Sequence, residues 1–180
     1  VRVTGSTVPA REESLMGACE FEQIGLGRDV SEAFCRAVDD AQYEYGHGGY
    51  SGTLAEKHGC VLFSVPKGWK AADYAAAAQM YDRREYLDRR LTAADLSWCR
   101  TDEERAQRRA RHNKDRALLR KGIASGEDTL RRVASQAYGD KWGSAAALEL
   151  TAAETKRVKE QRGRKGTRDR AFLFFGMASS

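Results

Sequence analysis

Apolar residues between positions 29 and 45 recur at steps of three and four: Val30, Ala33, Phe34, Ala37, Val38, Ala41 and Tyr45. That spacing lines one face of an α-helix. Asp29 is placed to cap its first turn, and Gly46 to take the left-handed conformation that ends it. A glycine-rich turn, GHGGYSG, comes next, followed by two short runs of strand character, TLAEK and CVLFSV. His58 and Gly59 between them predict a tight hairpin.

From Ala71 to Leu91 the pattern is helical again, with Tyr74, Ala77, Ala78, Tyr81, Leu87 and Leu91 on one side. Thr101 and Glu104 have capping-box spacing and predict a further helix that reaches Lys121 and stops before Gly122. Its apolar stripe is thin, mostly Ala106, Ala110, Ala117 and Leu118, so much of its circumference is expected to face solvent or a partner. Residues 127–138 predict another helix, with Leu130, Val133, Ala134 and Tyr138 together and Gly139 behind. AAALEL and AFLFFG supply two more strands, joined by a long connection, TAAETKRVKEQRGRKGTRDR.

Aligning Tyr45 and Gly46 with Tyr138 and Gly139 sets Ser51 on Ser144 and Glu56 on Glu149. The order helix, turn, strand, strand thus occurs twice. The expected fold is α+β: two helix-plus-β-hairpin units, an αββ duplication, forming a small and mostly antiparallel four-stranded sheet. A charged helical pair is inserted between them. Residues 16–180 are expected to form one domain, since a chain of this size buries ~70% of the surface it exposes unfolded. Residues 1–15 are turn-rich without periodicity, as a flexible tail or an upstream extension would be.

No apolar run approaches the ~20 residues needed to cross a bilayer. Nor does the chain open on a cationic stretch followed by an apolar one. Both features predict a soluble, cytoplasmic protein with no membrane partner. Cysteines at 19, 35, 60 and 99 form no CxxC pair, and His47, His58 and His112 show no ligand spacing. No metal or cofactor is predicted.

Charge changes the picture along the chain. The net charge is +5, yet residues 16–70 hold five basic and eight acidic side chains. The excess of base lies in the last two-thirds and gathers in two places. One is the run Arg105, Arg108, Arg109 and Arg111. The other is the long connection with Lys156, Arg157, Lys159, Arg162, Arg164, Lys165, Arg168 and Arg170. Clustered guanidinium groups neutralise phosphates and release counterions, so a basic arm of this kind predicts contact with nucleic acid or with an acidic protein surface. Trp142, near Arg131 and Arg132, offers a ring on which a base would stack. Against this, arginine-rich helices with interleaved acids are ordinarily solvated faces held by i,i+4 pairs.

A second candidate is the glycine-rich segment, with His47, Gly48, Gly49, Tyr50, Glu56 and His58. Its glycines would let backbone N–H groups approach a phosphate, and His with Glu would serve as an acid/base pair. The Gly-Lys-Ser/Thr end of a P-loop is missing, and the glycines follow a helix instead of leading into one. Duplicated halves would also bring Glu56 and Glu149 together, a pair suited to a divalent cation or to proton transfer.

The run MGACEFE, the helix from Phe34 to Gly46, the segment YGHGGYSGTLAEK and the closing AFLFFGMASS resemble small accessory proteins of actinobacterial phages. The resemblance spans most of the chain beyond Met16. It implies an accessory protein of a bacterial cytoplasm and transfers no catalytic residue, because no activity is assigned to that group. The function expected is noncatalytic binding of nucleic acid through the basic arm. The alternatives are a small enzyme or ligand-binding protein centred on the glycine-rich loop, and an inhibitor of a host protein.

Overall fold

The computed structural model describes residues 17–46 and 51–179. Its elements run β1 (Ala18–Gly27), α1 (Val30–Tyr45), β2 (Cys60–Phe63), α2 (Ala71–Asp82), α3 (Arg84–Asp88), α4 (Asp102–Ala124), α5 (Glu127–Tyr138), β3 (Ala145–Glu149), α6 (Ala152–Gln161) and β4 (Arg170–Ser179). Short 3-10 turns lie at Leu54–Glu56 and Ala94–Leu96. The four strands form one sheet in the order β1-β4-β3-β2. The β1/β4 and β4/β3 pairings are antiparallel and β3/β2 is parallel. The expected α+β class, with a mostly antiparallel four-stranded sheet, is what forms.

Helices pack on both faces of the sheet, leaving Val61 and Leu62 of β2 exposed. On one face α1 buries Ala33, Phe34 and Ala37 against Phe21, Phe172 and Phe174. Phe34 meets Phe174 edge-on, with centroids 5.5 Å apart, a favoured aromatic geometry. The helix comes so near that a Cβ on Gly27 would stand 2.4 Å from the Ala33 nitrogen, and one on Gly25 2.5 Å from the Ala33 carbonyl oxygen. On the other face α2 and α5 pack Tyr74, Ala78, Leu130 and Val133 over Ala146, Leu148, Leu173 and Phe175. The C-terminal half of α4 lies against both helices through Leu119 and Gly122.

Local signals hold where they are strong. Asp29 accepts a hydrogen bond from Glu32 N, α5 spans residues 127–138, and the capping box at Thr101 and Glu104 forms. Four expectations are corrected. TLAEK makes no strand, so the hairpin at His58 and Gly59 is absent. The Thr53 side chain captures Ala55 N, Leu54 is buried beneath α1, and β2 pairs in parallel with β3 instead. A side chain that bonds its own backbone competes with the ladder. The first unit therefore does not repeat the second, where β3 and β4 do pair antiparallel.

The helix expected over 71–91 breaks at Arg83 and closes at Asp88; nothing in the local sequence explains the break. Gly122 does not stop α4. A Cβ there would stand 3.0 Å from Ala77 Cβ and from Leu130 Cδ2, so this glycine is a helix-crossing point. Lastly, the long connection before β4 is mostly α6, started by a capping box at Thr151 and Glu154. The stretch before α1, for which the sequence pattern predicts no element, is the ten-residue edge strand β1.

Candidate nucleic-acid interface

The basic arm divides into two sets of cations. Four of the eight hold the arm in shape. Lys159 Nζ donates to the carbonyls of Thr167 and Asp169, and Arg162 donates to Ile24 O across to β1 at 2.8 Å. Arg164 faces the buried carboxylate of Asp169 at 3.1 Å, while Arg170 clasps Glu149 with both arms of its guanidinium. These groups are already neutralised or engaged. The chain doubles back after α6 through Gly163 and Gly166, whose φ angles of 66° and 80° favour glycine.

Lys156, Arg157, Lys165 and Arg168 remain exposed, with no hydrogen bond or ion pair to any of the described residues. A cleft of about 600 Å³ opens between α6 and the start of β4, lined by Lys156, Lys159, Lys165 and Arg170 with Leu150 and Glu160. The acids nearby are largely committed. Glu154 serves the capping box, Asp169 its arginines, and Glu149 its partner Arg170. Glu160 alone faces the cleft uncommitted. Lys156 and Lys165 are the free cations that line it.

The arginine face of α4 behaves similarly. Arg105 pairs with Asp102 at 2.8 Å, whereas Arg108, Arg109 and Arg111 are exposed and unpaired among the described residues. Nearly all of residues 102–111 is exposed, so the first turns of α4 stand clear of the core. Arg108 and Arg111 line a groove of about 440 Å³ with Arg100 and Trp98. Trp98 is not marked by periodicity. Its only signal is a large aromatic in LTAADLSWCRT with no large apolar neighbour three or four residues away. Trp142, the ring singled out from sequence, is half exposed with Lys141 Nζ 5.4 Å from its centroid; Arg131 is paired with Asp128.

Of the rival site, Glu56 and His58 fall among the described residues. His47, Gly48, Gly49 and Tyr50 lie outside the described residues. His58 is exposed. The Glu56 carboxylate accepts from Gly52 N at 3.0 Å and from the Ser179 hydroxyl. Burial pushes the Glu56 carboxyl up, but the hydrogen bonds from Ser179, Gly52 and Ser51 outweigh it and its pKa falls below the ordinary value. That contact ties the loop to the end of the sheet. Glu149 lies at the other end, opposite Phe172, seven positions from Ser179 along β4, or about 23 Å at strand rise. The two glutamates therefore form no pair.

Among the described residues no group of three or more His, Cys, Asp or Glu side chains is arranged to hold a metal ion. No helix among them is long and apolar enough to cross a membrane. No family model, no curated protein and no solved structure matches this chain.

Proposed function

We propose that this chain is a noncatalytic nucleic-acid-binding protein that tracks phosphates with the outer surface of α6 and the turn after it, aided by the arginine face of α4. One observation carries the reading: Lys156, Arg157, Lys165 and Arg168 are exposed without partners among the described residues, Lys156 and Lys165 lining one cleft, while most neighbouring carboxylates are spent elsewhere. Free cations on a rigid support release counterions on binding, and their effect is lost where they are already paired. The reading carries with it a cytoplasmic location and the phage accessory role that the sequence resemblance implies.

The test is a titration of single- and double-stranded RNA and DNA at low and moderate salt. The wild type is expected to bind with a strongly negative slope of log affinity against log salt. Replacing Lys156, Arg157, Lys165 and Arg168 together by Ala should reduce the magnitude of that slope by up to about 3.6 on B-DNA. Absence of binding at low salt removes the proposal. Capture of a protein partner in nuclease-treated lysate, without nucleic-acid binding, would turn the same surface into a protein interface.

A further inference from the structure

We infer that the groove beside Trp98 is a stacking site for an unpaired nucleobase, so that the protein prefers single-stranded to duplex nucleic acid. The inference rests on the nucleic-acid reading above but on a different surface.

Trp98 is 82% exposed, an unusual position for the largest apolar side chain. It is not on a loose loop. Asp95 accepts from Arg89 Nη1 at 2.6 Å and Nη2 at 2.8 Å, and from the Thr92 amide at 2.7 Å and hydroxyl at 2.8 Å. Leu96 is buried, Ser97 Oγ donates to Ala94 O, and Cys99 N to Leu96 O. The turn is fastened to α4 in its own right: His112 Nε2 lies 3.2 Å from Arg89 O, and its ring meets Tyr86 edge-on. The indole is thus presented by a supported turn. Pre-ordering of this kind lowers the entropy cost of binding.

Three arginines line the same groove as the ring. Arg100, Arg108 and Arg111 share its groove, and Arg108 and Arg111 sit one helical turn apart, with Cβ atoms about 5–6 Å from each other. Glu104 also lines the groove, but its carboxylate is held by the amides of Arg100 and Thr101. An aromatic face beside unpaired guanidinium groups is the arrangement that takes a base and its flanking phosphates together. A duplex keeps its bases stacked on each other and offers the indole no free face. Only the phosphate contacts would then remain.

The experiment compares end-labelled oligothymidylate of about twelve nucleotides, within the usual single-strand site range, with a hairpin duplex, by fluorescence anisotropy on the full chain. Trp98→Ala is expected to weaken oligothymidylate binding by about 5- to 160-fold, the range for losing one base stack, and to leave duplex binding unchanged. Trp98→Phe should restore most of the loss. In protein carrying Trp142→Phe, where the other remaining tryptophan, Trp69, is buried, the exposed Trp98 should lose emission as oligothymidylate binds, and the quenching should vanish when Trp98→Ala is added. Circular dichroism and thermal melting confirm that each variant folds. Wild-type binding that Trp98→Ala leaves intact overturns the stacking site and spares the nucleic-acid reading. Equal losses on both ligands also overturn it. If the wild type binds neither ligand, both fall together.

Discussion

Arg164 stands 3.1 Å from Asp169, whose side chain is only 7% exposed, and this pair folds the basic turn back onto the body of the protein. Arg36 of α1 approaches the other carboxylate oxygen at 3.7 Å. Asp169 Oδ2 gains no well-aligned hydrogen bond, so Arg164 acts on it mainly as a charge. Two elements far apart in sequence, α1 and the lead into β4, therefore meet at one carboxylate.

Asp169→Asn should remove that attraction and leave two arginines facing an amide. The arginines are partly solvated, which moderates the cost, and a loss of about 1–2 kcal/mol in urea unfolding is expected. Nucleic-acid affinity should fall with it, because Arg164 no longer positions the turn that carries Lys165 and Arg168. A variant as stable as the wild type would show that the pair does not shape the arm.

Lys57 gives a dependence on pH. Its ammonium is buried and donates to the carbonyls of Lys141 at 2.7 Å and Gly143 at 2.9 Å, and burial lowers its pKa below the ordinary 10.5. A lysine so shifted opposes folding while charged, since the unfolded chain holds the proton more tightly. As pH rises through the lowered pKa toward 10.5, the native state sheds its proton first and the penalty is relieved. Wild-type stability relative to Lys57→Met should therefore increase over that alkaline interval in paired denaturant titrations. Parallel curves for the two proteins would contradict the assignment.

The contact between α1 and β1 has no room for a side chain at Gly27. Gly27→Ala would force a Cβ within 2.4 Å of the Ala33 nitrogen, where only backbone can give way. Overpacking of this kind should cost about 3 kcal/mol and lower the melting temperature by at least several degrees. A melting point within a degree of the wild type would mean that α1 slides without penalty.

Thiol chemistry should separate the cysteines. Cys19 and Cys35 are exposed, whereas Cys60 is half-buried in β2 and burial, with Cys35 nearby, pushes its thiol up to about 11. Because the thiolate is the nucleophile, iodoacetamide at pH 8 should modify Cys19 and Cys35 well before Cys60. Mass mapping of a time course reads this directly. Early labelling of Cys60 would place β2 outside the sheet under those conditions.

Much of the architecture was legible where the signal is local. The 3.6-residue stripes of α1 and α5, the caps at Asp29 and Thr101, and the apolar run of β4 each depend on neighbours a few positions away. The capping box that begins α6 was equally local, but Val158 is its only buried residue, so no apolar stripe drew attention to it. What distance along the chain concealed was partnership. β2 finds β3 some 85 residues later, and β1 finds β4 from opposite ends of the chain; pairing of that kind is set by which surfaces the helices leave to be buried.

The same division runs through the candidate interface. By itself the sequence determined where positive charge accumulates, since composition and spacing are properties of the chain alone. The tertiary structure decided which of those cations are free. Lys159, Arg162, Arg164 and Arg170 are spent on carbonyls and carboxylates brought near by folding, and Lys156, Arg157, Lys165 and Arg168 are not. It also set Trp98 on a supported turn beside Arg108 and Arg111, a meeting of residues that no periodicity encodes. A charge acts through its neighbours in space, and only the folded chain specifies them.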